Sequence, residues 1–464
     1  MSGYSNTIYD ELAVGATVSA QRLLGQSEIE ALLLVSGDVV PFHVPEGTEL
    51  GANSLSVDAV AAEVIISGML ERRLPGPGTR IVSQNLEFLG YLRVGDQVKA
   101  TVTVLEKLES PRRVVFDCVV ETSGQRVLWG TTVVEAPERK ASFPELERPE
   151  FIIRRNDVFV RLLQRCEGLA PVSCAVAHPC DHDSLLGALE AARAGLIVPV
   201  LVGPAARIRA LARTLGEDIS NFRLVDTEHS HASAAAAVTL ARNGEVETLM
   251  KGSLHTDEIM QAVVSSQGGL RTDRRVSHVF VMDVPAYDRI LFVTDAAINI
   301  EPTLKEKADI AQNAIDLAHN LGLERPKVAI LSAVEMVNPD IASTIDAAAL
   351  CKMADRGQIR GGILDGPLAF DNAISEVAAR TKSIESPVAG RADILLVPNI
   401  EAGNMLAKQL QYFAGADSAG IVLGARVPVI LTSRADNVRM RIGSAAVAKL
   451  VVHARRAAAI PPLQ

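Results

Sequence analysis

The rhythm of apolar and polar positions changes once along the chain. From Leu55 to Leu74 apolar residues recur at helical spacing (Val57, Ala61, Val64, Ile65, Gly68, Met69), which predicts one long buried helix. Segments 80–89, 97–108, 113–122 and 128–135 follow it, rich in Val, Thr and Phe and joined by short turns, and they predict the strands of an antiparallel sheet. A helix wrapped by that sheet is the simplest assembly. Residues 136–150 (APERKASFPELERPE) then carry neither periodicity, and their three prolines and seven charged residues predict a linker.

Beyond the linker the rhythm is different. Eleven short apolar runs alternate with helical stretches: VSCAVA, VPVLVG, FRLVD, TLMKG, HVFVMDV, ILFVTD, KVAILSA, GGILDG, DILLVP, GIVLG and VPVILTS. Alternation of this kind predicts parallel sheets covered on both faces. The expected architecture is therefore an α+β domain over residues 1–135, a linker over 136–150, and a two-lobed α/β region with parallel sheets over 151–464, split into two subdomains with a cleft between them. In such sheets ligands gather at the C-terminal ends of strands, so polar residues just after each run are the candidates.

Composition narrows the functions. Apolar residues make up 48% and charged residues 22%, enough to build cores and exclude a mainly disordered chain. Lys and Arg number 46 against 55 Asp and Glu, a net charge of −9 with no basic tract, and aromatic residues are sparse, so nucleic acid is not an expected partner. The five cysteines (Cys118, Cys166, Cys174, Cys180, Cys351) are an odd number without paired CxxC spacing, which fits a reducing cytoplasm. The N-terminal residues lack a basic stretch followed by an apolar one, and no apolar run is long enough for a membrane helix. A cytoplasmic protein without membrane contact is expected. Neither GxxxxGK[ST] nor a GxGxxG opening a first βα turn is present, which disfavours ATP or NAD chemistry.

The loop SGDVVPFH sets Asp38 five residues before His43, just upstream of the predicted helix. A carboxylate and an imidazole at that spacing can share a water, the His taking its proton and the Asp orienting it, although a turn cap and a surface histidine would read the same way. With SGML in the helix and RLPGPGTRIVSQNLEFLGYLRVGDQVKATVTV after it, residues 10–135 resemble the MaoC-like (R)-specific enoyl-CoA hydratases of the hot-dog fold. The resemblance implies that Asp38 and His43 activate water for addition to a trans-2-enoyl-CoA, with backbone N–H groups at the helix start polarising the thioester carbonyl. Two positions depart from the family pattern: its Asn is Val40 here, and the His of its helix signature is Ser67.

Three segments of the α/β region place polar residues directly after apolar runs. MKGSLHT holds Lys251, Gly252 and Thr256; TDAAINIEP holds Asp295 and Asn299; VPVILTSRADN holds Thr432, Ser433, Arg434 and Asp436. Each reads equally as a capped helix start, since Ser, Thr and Asp are favoured caps. Together they offer an Arg for bidentate phosphate contact, a Ser donor and an Asp base. Glu401 and Asn404, opening a helix after DILLVP, and Asp365 in ILDGP are further candidate cleft residues.

Residues 152–456 resemble the phosphate acetyl/butyryltransferases, through LMKGSLHTDEIM, LFVTDAAINIEPTLKEK, PKVAILSAVEMVNP, ILDGPLAFDNAIS, DILLVPNIEAGNMLAKQL and VPVILTSRAD. The resemblance implies reversible transfer of an acyl group between CoA and inorganic phosphate. Ser433 would then hydrogen-bond the thiolate or the carbonyl oxygen, Arg434 would bind phosphate, and Asp436 is the candidate base for the thiol. In the acetyltransferase branch the carboxylate lies several residues further on, where this chain has Met440. The order of the two halves looks closest to fusions of an enoyl-CoA hydratase with a phosphate acetyltransferase. No tightly bound cofactor is expected, CoA thioesters and phosphate being substrates, and homo-oligomers are common in both families. The alternative is that one domain alone is catalytic and the other binds acyl-CoA, regulates or dimerises. His178, Cys180 and His182 alternate as metal ligands can, but lack a fourth ligand at a recognisable spacing.

Overall fold

In a computed structural model that describes residues 4–25, 28, 31, 56–58, 60–93, 95–143, 158–432 and 438–459, the chain divides into two units, 1–153 and 154–464. The first contains β1 (Tyr4–Ser5), β2 (Thr17–Leu23), β3 (Ser56–Asp58), α1 (Val60–Arg72), β4 (Arg80–Phe88), β5 (Tyr91–Arg93), β6 (Gln97–Glu109), β7 (Arg112–Thr122), β8 (Gln125–Glu135) and β9 (Ser142–Phe143). Strands β2-β6-β7-β8-β4 form an antiparallel sheet, and α1 packs on it through Ala62, Ile66, Met69 and Leu70. This is the helix-in-sheet arrangement of a hot-dog domain.

The buried stripe of α1 is turned from the predicted one. Val64 is 52% exposed and Ala61 and Ile65 are only partly covered. The helix is apolar nearly all round (VAAEVIISGML), so spacing alone does not select the face. The stretch 136–150 also differs from a plain linker in its first half. Ser142 and Phe143 pair with Ser5 and Tyr4, and the buried Asn6 amide bonds Pro77 O at 3.0 Å, Arg139 O at 2.9 Å and the Ala141 N–H at 2.9 Å.

The second unit contains α2 (Val158–Cys166), β10 (Val172–Ala177), α3 (His182–Arg193), β11 (Ile197–Gly203), α4 (Ala205–Leu215), β12 (Arg223–Asp226), α5 (Ser230–Arg242), β13 (Thr248–Lys251) and α6 (Thr256–Val263). These are followed by β14 (Ser277–Asp283), β15 (Leu291–Thr294), α7 (Leu304–Asn320), β16 (Lys327–Leu331), α8 (Ala342–Asp355), β17 (Ile363–Leu368), α9 (Phe370–Ile374) and α10 (Glu376–Thr381). The last elements are β18 (Ile394–Leu396), α11 (Ile400–Tyr412), β19 (Asp417–Leu423), β20 (Val429–Ile430) and α12 (Val438–Ala459).

All eleven strands join one sheet, in the order β12-β11-β10-β13-β20-β19-β14-β15-β18-β16-β17. The two lobes are its wings. β12 to β20 are mutually parallel, and so are β15 to β17, but β19 pairs antiparallel with both β20 and β14, and β14 antiparallel with β15. The connection 284–290 between β14 and β15 is too short for a parallel crossover, which forces the reversal. The two wings consequently run in opposite directions, and their C-terminal ends do not share an edge.

One core joins α2, α3, α4, α7, α8 and α12 to one face of this sheet. On the other face α5 and α6 cover the first wing, and α9, α10 and α11 cover the second. No described helix is long and apolar enough to cross a membrane.

Candidate functional site

Two of the polar segments leave adjacent strands of the first wing. Met250 on β13 pairs with Ile430 on β20, which brings Lys251 and Gly252 out of the sheet beside Leu431 and Thr432. The segment after β15 starts from the opposite end of the sheet. It stays at that end, where Asn299 donates to Val276 O at 2.9 Å just before β14, so only the Lys251 and Thr432 segments are brought together.

Each segment is held by specific bonds. Lys251 is buried, and its Nζ donates to Gly252 O at 3.3 Å and Leu254 O at 3.2 Å, so the ammonium braces the turn that it opens. Gly252 is required by contact: a Cβ there would stand 2.4 Å from Ala177 O and 2.5 Å from His178 O. Thr256 is half-buried at the start of α6, after a cap in which Glu258 accepts the His255 N–H at 2.9 Å.

Asp295 is 2% exposed and turned into its own loop. One oxygen accepts Ala297 N at 2.9 Å and Ile298 N at 3.0 Å, and the other accepts Asn299 N at 3.2 Å and Asn299 Nδ2 at 2.5 Å. Burial pushes its carboxyl above the usual range, against the pull of those bonds. Asn299 is equally engaged, donating to Val276 O at 2.9 Å and accepting from Arg275 Nε at 2.6 Å. Both residues therefore hold the segment in shape. On α11, Glu401 is exposed, and the exposed Asn404 donates to Ala296 O at 3.2 Å, tying the helix to the same loop. Asp365 is half-buried within β17 and accepts the Gly366 N–H at 2.8 Å.

At the exit of β20, Thr432 is buried and its Oγ1 accepts from Arg441 Nη1 at 2.9 Å. Arg441 itself is 5% exposed and projects from the second turn of α12. Met440 is half-buried in the same helix. Ser433, Arg434 and Asp436 lie outside the described residues, as do Asp38, Val40 and His43 of the first unit. Ser67 on α1 is described, and it donates to Glu63 Oε1 at 2.8 Å one turn back.

Residues that sequence reasoning passed over also stand here. His278 on β14 is fully buried, stacks edge-on against Phe280 at 4.4 Å, and has no hydrogen-bond partner for either ring nitrogen among the described residues. A Cβ on Gly420 would meet both its Nε2, at 3.0 Å, and Leu431 O, at 2.2 Å, so the ring lies beside the strand that leads to Thr432. Burial pushes its pKa down to about 3 and keeps the ring neutral. His178, Cys180 and His182 diverge: the first bonds Ser233, the second is buried, and the third is exposed against Asp183. Burial raises the thiol pKa of Cys118 and Cys180 to about 11, which disfavours thiolate chemistry at either.

Known proteins match this unit along its length. A family model described as phosphate acetyl/butaryl transferase matches residues 232–449. A phosphate acetyltransferase from Rhizobium meliloti is 61% identical over 300 residues, 65% of this chain and 95% of that protein. A phosphate butyryltransferase from Clostridium acetobutylicum is 42% identical over 296 residues, covering 64% and 97%. Among solved structures, a branched-chain phosphotransacylase from Enterococcus faecalis V583 aligns at a TM-score of 0.54 and 30% identity, over 61% of this chain and 99% of that one. With a relative this similar matched almost end to end, the chain belongs to the phosphate acetyl/butaryl transferase family.

Proposed function

We propose that the second unit is a phosphotransacylase that moves a short acyl group between CoA and inorganic phosphate, with Ser433, Arg434 and Asp436 as its catalytic residues. The observation that carries the reading is the 61% identity to a phosphate acetyltransferase over 95% of that protein. The chemistry needs little more than positioning and charge. As the CoA thiol attacks an acyl phosphate, its proton passes to the base Asp436, the S–C bond forms and the C–O bond to phosphate breaks. Arg434 holds the departing phosphate, and Ser433 hydrogen-bonds the sulfur or the carbonyl oxygen. Lys251, Gly252 and Thr256 belong to the phosphate side of the cleft. Asp295, Asn299, Asp365, Glu401 and Asn404 are the further substrate-binding residues of this proposal.

For the first unit we propose hydration of an enoyl-CoA by Asp38 and His43. Support comes from its helix-in-sheet topology and from the SGDVVPFH loop that precedes the helix. Both activities act on CoA thioesters, which gives one chain with two units a rationale. Purified protein is to be assayed with acetyl-CoA or butyryl-CoA plus phosphate, and separately with crotonyl-CoA plus water. Ser433→Ala is expected to abolish the first activity and spare the second, and Asp38→Asn the reverse. No phosphate-dependent CoA release from any short acyl-CoA would end the transacylase reading, and no crotonyl-CoA hydration would leave the first unit a binding or dimerising module.

A further inference from the structure

His278 is a buried titratable group that the chemistry proposed above leaves unused. It stands on β14 in the middle of the sheet, sealed from water, and neither Nδ1 nor Nε2 has a hydrogen-bond partner among the described residues. A polar side chain in that state costs stability, since it loses water without gaining a partner. An apolar side chain would suit the core better. The surroundings of the ring supply a reason for a histidine.

The main chain of His278 is tied to the Asp295 loop. Its carbonyl accepts Thr294 Oγ1 at 2.8 Å, and its backbone N–H favours the charged form of the Asp295 carboxylate. The ring packs edge-on against Phe280 at 4.4 Å and lies beside Gly420 of β19. The place a Cβ would take on Gly420 is 3.0 Å from His278 Nε2 and 2.2 Å from Leu431 O, so the nitrogen and the carbonyl oxygen are within about 5 Å of each other across a glycine. Burial foremost lowers the His278 pKa, the Leu431 backbone works against it, and the Lys408 charge adds to the burial. The Leu431 carbonyl is thus an acceptor within the reach of this ring.

Leu431 follows β20 directly and leads into Thr432 and Ser433. Its N–H donates to Gly420 O at 3.1 Å, and the Gly420 N–H is held in turn by Ser444 Oγ of α12 at 3.0 Å. From the α12 side, Arg441 fixes Thr432. The His278 ring stands on the opposite face of the sheet, where Phe280 packs.

We propose that His278 is a positioning residue for transacylation: with substrate seated at Ser433 and Arg434, its Nε2–H donates to Leu431 O and fixes the strand exit that carries Thr432 and Ser433. The inference rests on the transacylase reading. A neutral imidazole has one N–H, and a carbonyl oxygen only accepts, so the proton stands on Nε2. The adjustment that closes the bond falls on the exit. β14 pairs with β19 along its full length, whereas β20 pairs through Val429 and Ile430 alone. His278 touches no substrate and acts through Leu431.

The full chain is assayed with butyryl-CoA and phosphate as wild type, His278→Leu and His278→Gln. Leu fills the site without a donor, whereas Gln carries a donor about as far out as Nε2. His278→Leu is expected to lower kcat about tenfold with both KM values within about twofold of wild type, and His278→Gln to recover most of the loss. Nitrogen NMR of the imidazole rings reads the bond itself. The ring signal missing from His278→Leu is expected to belong to a neutral ring protonated at Nε2, and its N–H proton to move downfield when CoA is added to saturation. A packing role alone leaves wild-type kcat in the Leu variant, and that result overturns the proposal. Equal losses in the Leu and Gln variants, a ring protonated at Nδ1, or a signal that CoA leaves unchanged overturn it too. Those outcomes in an active wild type count against His278 only, whereas a wild type that turns over no short acyl-CoA with phosphate removes the transacylase reading and this inference together.

Discussion

Thr432 is the last described residue before Ser433, and the bond that fixes it comes from a buried arginine. Arg441 falls on the same stripe of α12 as the buried Ala445, Ala448 and Val452. Its stem passes over Gly187 of α3, where a Cβ would stand 2.4 Å from Arg441 Cδ. Replacing Thr432 by Val keeps the shape and removes the acceptor, which leaves a buried guanidinium N–H without that bond at a cost of about 1–3 kcal/mol. Thr432→Val is therefore expected to lower the transacylase kcat about tenfold while the far-UV spectrum stays unchanged, and Thr432→Ser is expected to recover most of it. Steady-state kinetics of the three proteins decide this, and wild-type kcat in the Val variant would free Thr432 of any positioning role. Ser433 and Arg434 are read from the apolar run that they follow, and they lie outside the described residues. Arg441 was not legible in this way, since a charged residue on a helix is read as exposed unless its neighbours at helical spacing are counted.

Gly403 shows how closely two elements of the second wing approach. A Cβ there would stand 2.5 Å from Asp295 O, 2.8 Å from Val397 Cγ2 and 3.0 Å from Ala296 Cα, so α11 lies directly on the Asp295 loop. Backbone cannot yield as a side chain does, and Gly403→Ala is expected to destabilise by about 1–3 kcal/mol and to impair transacylation. Gly68 in α1 provides the opposite case. Among the described residues nothing lies within 4 Å of the place an added methyl would take, so Gly68→Ala is expected to stabilise the first unit by about 0.5–1 kcal/mol through helix propensity. Calorimetry of both variants reads the two signs, and stabilisation by Gly403→Ala would refute the close packing. At this scale the chain was largely readable. All eleven apolar runs of the second unit became strands, and so did the four long segments of the first. β2 was missed because TVSAQRL is an edge strand with a mostly exposed burial pattern, its apolar alternation confined to Val18 and Ala20. The reversal at β14 and β19 was missed because an apolar run carries no direction, and only the shortness of the connection 284–290 betrays it.

Over the whole molecule, that reversal has a stability consequence that can be titrated. His278 lies on β14, paired with Val422 of β19, in the reversed part of the sheet, and its ring is sealed from water without a hydrogen-bond partner among the described residues. In the folded protein burial holds its pKa down to about 3, against 6.5 for the free side chain. Above pH 6.5 the ring is neutral in both folded and unfolded chains and contributes no pH dependence. Between 6.5 and about 3 the unfolded chain takes up a proton that the folded one refuses, so stability falls as the pH drops, by up to about 1.4 kcal/mol per pH unit. His278→Leu removes that proton uptake. The difference in stability between variant and wild type is therefore expected to be constant from pH 7 to 8 and to shift steadily in favour of the variant as the pH is lowered to 5. Denaturant unfolding at each pH measures it, and taking the difference cancels the contribution of the carboxylates common to both proteins. A difference that stays constant down to pH 5 would mean that the folded protein accepts the proton at His278, and the ring would then have to reach a partner on protonation.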